Sequence, residues 1–335
     1  MNRRAWLALS AGASLAACGN PQPAAPFSTS FVSSVAEHHR VPGYSWILPG
    51  AASQDLIYVS DQGVWGKGGV YIYTYPQGKQ VGFLEPDTEE TYEGLCSDTQ
   101  GNVWVVGWIT NGQAFYDEYS HGSTRGINGL GGSGVPSGCS VDPSTGNLAI
   151  ANYEDFAVGG QGDIAVYQHA QGSPQDYYDS SITHYYYCTY DGKGNIFADG
   201  NANFINELPR NGSALRHVYF NKNIAPGSLQ WNARDLAVTV LGGAKGPVRV
   251  DRVTVSGSGA RIVGTTSLRT YHDEGTYLDV EFAIQAKFIV GPDAGNGGPT
   301  RQLYFWPYPA GGKAFKAIQA PDGSNFQGVA ISVAH

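Results

Sequence analysis

The sequence predicts an all-β fold built from repeated four-stranded antiparallel units, and three observations predict it. The first is composition. Of 335 residues, 46 are Gly, 18 are Pro and 21 are Tyr, while charged residues make up only 14%. Many glycines and aromatics with few charges fit short strands joined by turns, not helices. The second is a recurring stretch. "GLCSDTQGNVWVVG" at 94–107 has a short apolar run, an Asp, a polar turn with Gly-Asn, and a second apolar run. It returns as "GCSVDPSTGNLAIAN" at 138–152 and "YCTYDGKGNIFADG" at 187–200. Its asparagines, Asn102, Asn147 and Asn195, are spaced 45 and 48 residues apart. The third is that the segments after these hairpins also alternate like strands. They lie at 68–84, 162–178, 248–266 and 301–318. A period of about 40–50 residues made of strand-turn-strand units points to a β-propeller. A single four-stranded sheet has two faces to bury, and packing such sheets around an axis buries both.

Taken from the N-terminus, the first element is a leader. Residues 1–17 carry Arg3 and Arg4 followed by an apolar or small stretch. Leu15-Ala16-Ala17-Cys18 resembles a bacterial lipobox, in which cleavage leaves an acylated cysteine as the new N-terminus. Cys18 is therefore the expected lipid anchor. The apolar stretch is too short for a transmembrane helix. Arg3-Arg4-Ala5-Trp6-Leu7 also resembles a twin-arginine export signal, so both export routes stay open. No Asp follows Cys18, which favours an outer-membrane anchor if the cell has two membranes. Residues 18–40 hold the acylated cysteine and a Pro-rich tether, "GNPQPAAPFSTS" at 19–30. Residues 41–335 form a single propeller domain, long enough for a sizeable core. Without Arg3 and Arg4 the chain keeps 18 basic against 28 acidic residues, a net charge of −10. That balance, without basic clusters, speaks against nucleic acid. A monomer is expected.

Six units are expected within the domain. The three strong hairpins are joined by weaker copies with Asp55, Asp235 and Lys287 in the matching place. The Asp and Gly-Asn supply side-chain-bonded and positive-φ positions for the first hairpin of each unit. "FQGVAISV" at 326–333 reads as a first strand with no second. It is expected to complete the first unit and close the ring. "YSWILPG" at 44–50 competes for that position, so seven units stay open.

The hairpins and the Glu93-Gly94-Leu95-Cys96-Ser97-Asp98 motif resemble those of NHL-repeat and gluconolactonase-like (senescence-marker-protein-type) six-bladed propellers. The resemblance covers roughly residues 40–335 and concerns fold above all. Lactonases of that family hold a divalent metal on the propeller axis, with a Glu, an Asn and an Asp as ligands. Calcium suits such oxygen donors, and the metal polarises the ester carbonyl and activates water. At the corresponding positions this chain offers Glu93, Ser137, Tyr186, Ser228 and Gln327, with Asp279 or Glu281 from the irregular sixth unit. Glu93 alone matches as a metal ligand. The other positions suit a mouth that hydrogen-bonds a neutral ligand.

Other clusters have bland readings. Cys96, Cys139 and Cys188 are expected as small buried thiols between units. Counted from the turn asparagines, Cys96 points to a different strand face from the other two. Equivalent strands of neighbouring units usually lie too far apart for a disulfide. Glu154, Asp155, Asp199 and Asn201 read as loop-capping residues before they read as a cation site. Alternating tyrosines in "HYYYCTY" at 184–190 fill a unit interface or stack a sugar ring at the mouth. The expected function is that of a lipid-anchored, extracytoplasmic, non-catalytic module of the cell envelope. Its partners are the membrane through Cys18, and a small neutral ligand, a glycan or an envelope protein. The alternatives are a metal-dependent lactonase holding one divalent cation, and a structural envelope protein.

Overall fold

The fold is seen in a computed structural model that describes residues 45–63, 68–85, 90–109, 112–240, 248–270, 281–292, 302–321 and 324–335. The leader at 1–17, Cys18, the tether up to residue 40, and Asp279 lie outside the described residues.

Strands β1 (Trp46–Ile47), β2 (Leu56–Asp61), β3 (Gly69–Thr74) and β4 (Gln80–Leu84) form the first run. The second run is β5 (Glu90–Ser97), β6 (Val103–Ile109), β7 (Gln113–Tyr119) and β8 (Gly126–Ser133). The third is β9 (Val135–Val141), β10 (Leu148–Asp155), β11 (Gln161–Tyr167) and β12 (Gln175–Tyr177). The fourth is β13 (Tyr185–Tyr190), β14 (Ile196–Gly200), β15 (Phe204–Leu208) and β16 (Arg216–Phe220). The fifth is β17 (Pro226–Asn232), β18 (Asp235–Val240), β19 (Arg249–Ser256) and β20 (Gly259–Arg269). The sixth is β21 (Ala283–Gln285), β22 (Phe288–Pro292) and β23 (Gln302–Pro307), with the short β24 (Gly312–Lys313) and then β25 (Lys316–Gln319). The chain ends with β26 (Phe326–Ser332).

The second to fifth runs pair antiparallel in chain order, as do β2–β4 in the first run and β21, β22, β23 and β25 in the sixth. The six repeat residues fall where the pattern puts them. Asp55, Asn102, Asn147, Asn195 and Lys287 each precede the second strand of a run, and Asp235 opens one. The turns are built as their sequences dictate. Asp98 Oδ1 accepts the amides of Gln100 and Asn102 at 2.8 Å, and Asn102 Nδ2 donates to Asp98 Oδ2 at 2.9 Å. Asp191 and Asn195 repeat this geometry. Gly101 and Gly194 supply the positive φ, 80° and 85°.

The ring closes through the C-terminus. β26 pairs antiparallel with β2 and becomes the innermost strand of the first sheet. Trp46–Ile47, the competitor for that place, adds to the outer edge against β4 instead. No seventh run stands among the described residues.

Counted by hydrogen bonds, the expectation of six separate sheets is corrected. There are four sheets of four or five strands and one of nine. The nine-stranded sheet forms because the 11-residue β20 reaches across to β16. They pair in parallel at Tyr219 with Gly259 and Phe220 with Ala260. The fourth and fifth runs therefore share one ladder along their outer edge, and β24 adds to β20.

The core is divided into apolar clusters between successive runs. In β2, Leu56 and Tyr58 pack toward the second run, while Ile57 and Val59 pack toward the sixth. This is the two-residue alternation of a strand buried on both faces.

The same alternation overturns one expectation. Cys96 and Cys139 form a disulfide, with Cα atoms 5.6 Å apart, while Cys188 is a buried free thiol. The two cysteines do sit on opposite faces of equivalent strands. In a ring of sheets, however, opposite faces of neighbouring units are the ones that meet. Close approach of β5 and β9 completes the geometry. A Cβ on Gly94 would lie 2.5 Å from the Ser137 carbonyl oxygen, a contact only glycine permits.

Candidate functional site

The innermost strands share a defect at one level. β5, β9, β13, β17 and β26 each carry a β-bulge against the second strand of their sheet. The bulged residues are Glu93 and Gly94, Ser137, Tyr186 and Tyr187, Gly227 and Ser228, and Gln327 and Gly328. All five sequence-predicted mouth residues thus stand at bulges, which re-aim side chains and bend the strand.

A bulge removes amides from the ladder, and each must find another acceptor. Gly328 N donates to Ser60 Oγ at 2.7 Å, and the Ser60 hydroxyl donates to the Glu93 carbonyl. Tyr187 N donates to Asp199 Oδ1 at 2.9 Å. Ser228 Oγ and Thr239 Oγ1 lie 3.3 Å apart. Three further amides beside the bulges share one acceptor, Glu281, which comes just before β21. Its Oε2 accepts Leu95 N at 2.7 Å, and its carboxyl also takes the amides of Cys139 and Val329. One buried carboxyl thereby joins three innermost strands. Burial pushes its pKa well above the ordinary carboxyl value, against the opposing pull of the three amides.

Four of the five predicted residues, Glu93, Ser137, Tyr186 and Gln327, are half-buried around the mouth. Ser228 is the correction: it is buried against Thr239, because its bulge turns the side chain into the sheet. Glu93 is clasped by neutral donors. Gln62 Nε2 and Trp108 Nε1 both donate to its Oε1, at 2.7 and 3.1 Å. Asn325 Nδ2 holds Gln62 Oε1 at 3.0 Å. Burial outweighs these bonds and raises the Glu93 pKa to about 7. Beside Tyr186 stands an aromatic stack. Tyr153 and His184 lie face to face at 4.2 Å and 7°, and Tyr153 stacks on Tyr186 at 6.0 Å. His184 Nδ1 donates to the Tyr153 carbonyl at 2.9 Å, which holds the imidazole in place.

The residues do not fit the axial metal that the family resemblance implies. A calcium-class site needs several convergent carboxylate or carbonyl oxygens. Glu281 already serves three amides, and Glu93 Oε1 serves two donors. Ser137, Tyr186 and Gln327 bring no second carboxylate. Two of the other residues weighed for a cation also bond loop amides. Asn201 Oδ1 accepts the amides of Thr183 and His184, and Asp155 Oδ1 accepts Ala157 N at 2.6 Å.

On the turn side of Glu281 the axis opens into a cavity of about 520 Å³, lined in part by Ser97, Ser140, Thr189, Gln230 and Trp231. Sequence reasoning missed it, because its polar side chains bind neighbouring strands. Ser97 Oγ donates to Ile331 O at 2.9 Å. Tyr190 N donates to Ser140 Oγ at 2.9 Å, and Trp231 N to Thr189 Oγ1 at 3.0 Å. Gln230 bonds both backbone groups of Ile284. With the Cys96–Cys139 disulfide and the Glu281–Val329 bond, every junction between neighbouring innermost strands is tied. Gln62, Trp108, Asn325, Tyr153 and His184 were also missed at the mouth, since each comes from outside the first strand of its unit.

No protein-family model matches the chain, and no curated protein matches it by sequence. Solved structures do match. A protein of unknown function from Bacteroides caccae aligns with a TM-score of 0.59 at 13% identity, covering 83% of this chain and 99% of that one. TolB from Acinetobacter baumannii aligns with a TM-score of 0.56 at 15% identity, covering 85% of this chain and 68% of that one. At such identities the likeness concerns the fold alone, and with the sheet arrangement it makes this chain an all-β protein of β-propeller architecture.

Proposed function

We propose that the protein is a lipid-anchored, extracytoplasmic six-bladed propeller, related to the NHL-repeat and gluconolactonase-like type, that works as a non-catalytic binding module. Six blades follow if the nine-stranded sheet is read as two blades bridged at their rims. The cyclic packing of six innermost strands supports that reading. The lipobox at Cys18 supports attachment to the envelope, with the outer membrane favoured in a two-membrane cell.

The observation that carries the binding reading is the mouth itself. A carboxyl held by the neutral donors Gln62 and Trp108 shares a rim with the Tyr153–His184–Tyr186 stack. Such a pairing suits a neutral polyhydroxylated ligand, a glycan above all. The aromatic faces take the apolar side of a sugar ring, and Glu93 accepts from its hydroxyls. Glycan-array screening of the full chain in detergent micelles, followed by titration of the best ligand, tests it. Tyr186→Ala and Glu93→Gln should each weaken binding at least about tenfold, the loss of roughly one good hydrogen bond or stacked ring. Unchanged affinity in both variants would overturn the reading.

One observation favours a second reading. A Glu93 carboxyl with a pKa near neutrality is poised for proton transfer. Lactone cleavage by the full chain that vanishes in Glu93→Gln would establish the lactonase alternative, and a metal requirement would overturn the reading that the mouth does not fit an axial metal.

A further inference from the structure

Away from the axis, between the second and third sheets, three carboxylates converge. Asp155 ends β10, Asp163 lies in β11 and Asp176 in β12. One oxygen of each lies within 4.8 Å of the others. Asp155 and Asp163 are buried, and Asp176 is half-buried. The main influences on the three are burial, one another, and hydrogen bonds from Ser133, Ala157 and Asn152. Three carboxyls at such range, two of them buried, cannot all be ionised without a compensating positive charge.

A second feature points to what supplies it. Asn152 stands directly opposite Asp163 in the ladder and is fully buried. Its Nδ2 donates to Asp163 Oδ1 at 2.7 Å, while its own Oδ1 accepts nothing. Asp163 Oδ2, also fully buried, and Asp176 Oδ1 accept nothing either. Three acceptors are thus left without donors, one oxygen each of Asp163 and Asp176 and the Asn152 amide carbonyl, while Asp155 Oδ1 accepts from Ser133 and Ala157. A buried acceptor left without a donor is normally eliminated or satisfied. The donors are all oxygen, the preference of hard cations. Three carboxylates with an amide carbonyl also exceed the one or two carboxylates of a usual magnesium site and suit the more numerous, less regular oxygen ligands of calcium.

We propose that Asp155, Asp163 and Asp176, with the Asn152 carbonyl, form a calcium-class cation site that clamps the second sheet to the third. The clamp works through Ser133 of β8, whose hydroxyl donates to Asp155 Oδ1 across the sheet boundary. It also draws in Tyr116 of β7 and Tyr167 of β11, whose rings meet edge to face at 5.7 Å beside the carboxylates. The site is separate from the axial mouth and independent of the binding reading. A proton shared by Asp163 and Asp176 is the competing occupant.

The test uses the full chain in detergent, stripped with chelator and given terbium, calcium or magnesium. Terbium should luminesce on tyrosine excitation, through Tyr116 and Tyr167, and calcium should quench that signal by displacement while magnesium at equal concentration does not. Calcium at about 1 mM, the range of extracellular calcium modules, should also raise the unfolding midpoint by several degrees. Asp163→Asn should abolish both responses, with Glu93→Gln as a control that keeps them. Absence of sensitised luminescence and of any calcium response in the wild-type chain overturns the proposal and assigns the charge balance to the shared proton. Full responses in Asp163→Asn overturn it too, since the ion then binds elsewhere. If Asp163→Asn does not fold, the wild-type luminescence and its displacement decide alone.

Discussion

Replacing Glu281 tests whether one carboxyl holds the centre of the ring. The side chain accepts three backbone amides, from Leu95, Cys139 and Val329, each on a different innermost strand. A carboxyl accepts three donors whether or not it carries a proton. A glutamine accepts on its carbonyl oxygen alone, which has two lone pairs. Glu281→Gln therefore leaves at least one buried amide without an acceptor, facing a new donor. The cost is about 1–3 kcal/mol. Replacing an ionisable group by a neutral one gives little back, because burial already favours the protonated acid. Glu281→Ala orphans all three amides, and water from the adjoining cavity can reach some of them, so the cost is about 3–5 kcal/mol. At roughly 2 °C per kcal/mol for a domain of this size, the midpoints should fall by about 2–6 °C and about 6–10 °C. Calorimetry gives these shifts. Hydrogen exchange locates them, since the amides of Leu95, Cys139 and Val329 should lose protection first. A Glu281→Gln protein as stable as wild type, with those three amides still protected, would refute the reasoning.

Three other outcomes are expected. Reducing the Cys96–Cys139 disulfide, which closes a loop of 43 residues, should cost up to about 4 kcal/mol, measured by denaturant unfolding with and without reductant. Cys188, its thiol pushed up by burial, should stay unreactive toward alkylation in the native protein until unfolding, as read by mass spectrometry. Glu93 should make stability pH-dependent. Its folded pKa of about 7 exceeds the ordinary 4.5, so the proton is held more tightly in the folded state. The stabilisation is full below about pH 4.5 and is lost as pH rises through 7, by at most about 3 kcal/mol. Glu93→Gln should flatten that part of the profile, and a wild-type profile already flat between pH 5 and 8 would count against a raised Glu93 pKa.

Much of the architecture was legible because it is local. The Asp98, Asp142 and Asp191 turns are closed by residues two to four positions away. Their hydrogen bonds therefore depend on the local sequence alone. The place of β26 followed from an unpaired first strand. The mouth was partly legible: Glu93, Ser137, Tyr186 and Gln327 do stand at one level. Ser228 departed from it because a bulge, not strand alternation, sets where its side chain turns. Trp108, Gln62 and Tyr153 reach the mouth from second strands and loops, where the repeat carries no register.

The sequence by itself determined the repeating hairpins, their turn chemistry, the closing strand and the alternation of buried faces. Each depends on separations of a few residues or on a period along the chain. The tertiary structure alone decided that Cys96 meets Cys139, that Glu281 serves three strands, that β20 bridges to β16, and that Asp155, Asp163 and Asp176 converge. Each of these depends on how one sheet is rotated and shifted against the next. Apolar packing sets that relation, through contacts between residues far apart in sequence, and a one-residue change in register would separate every one of these pairs.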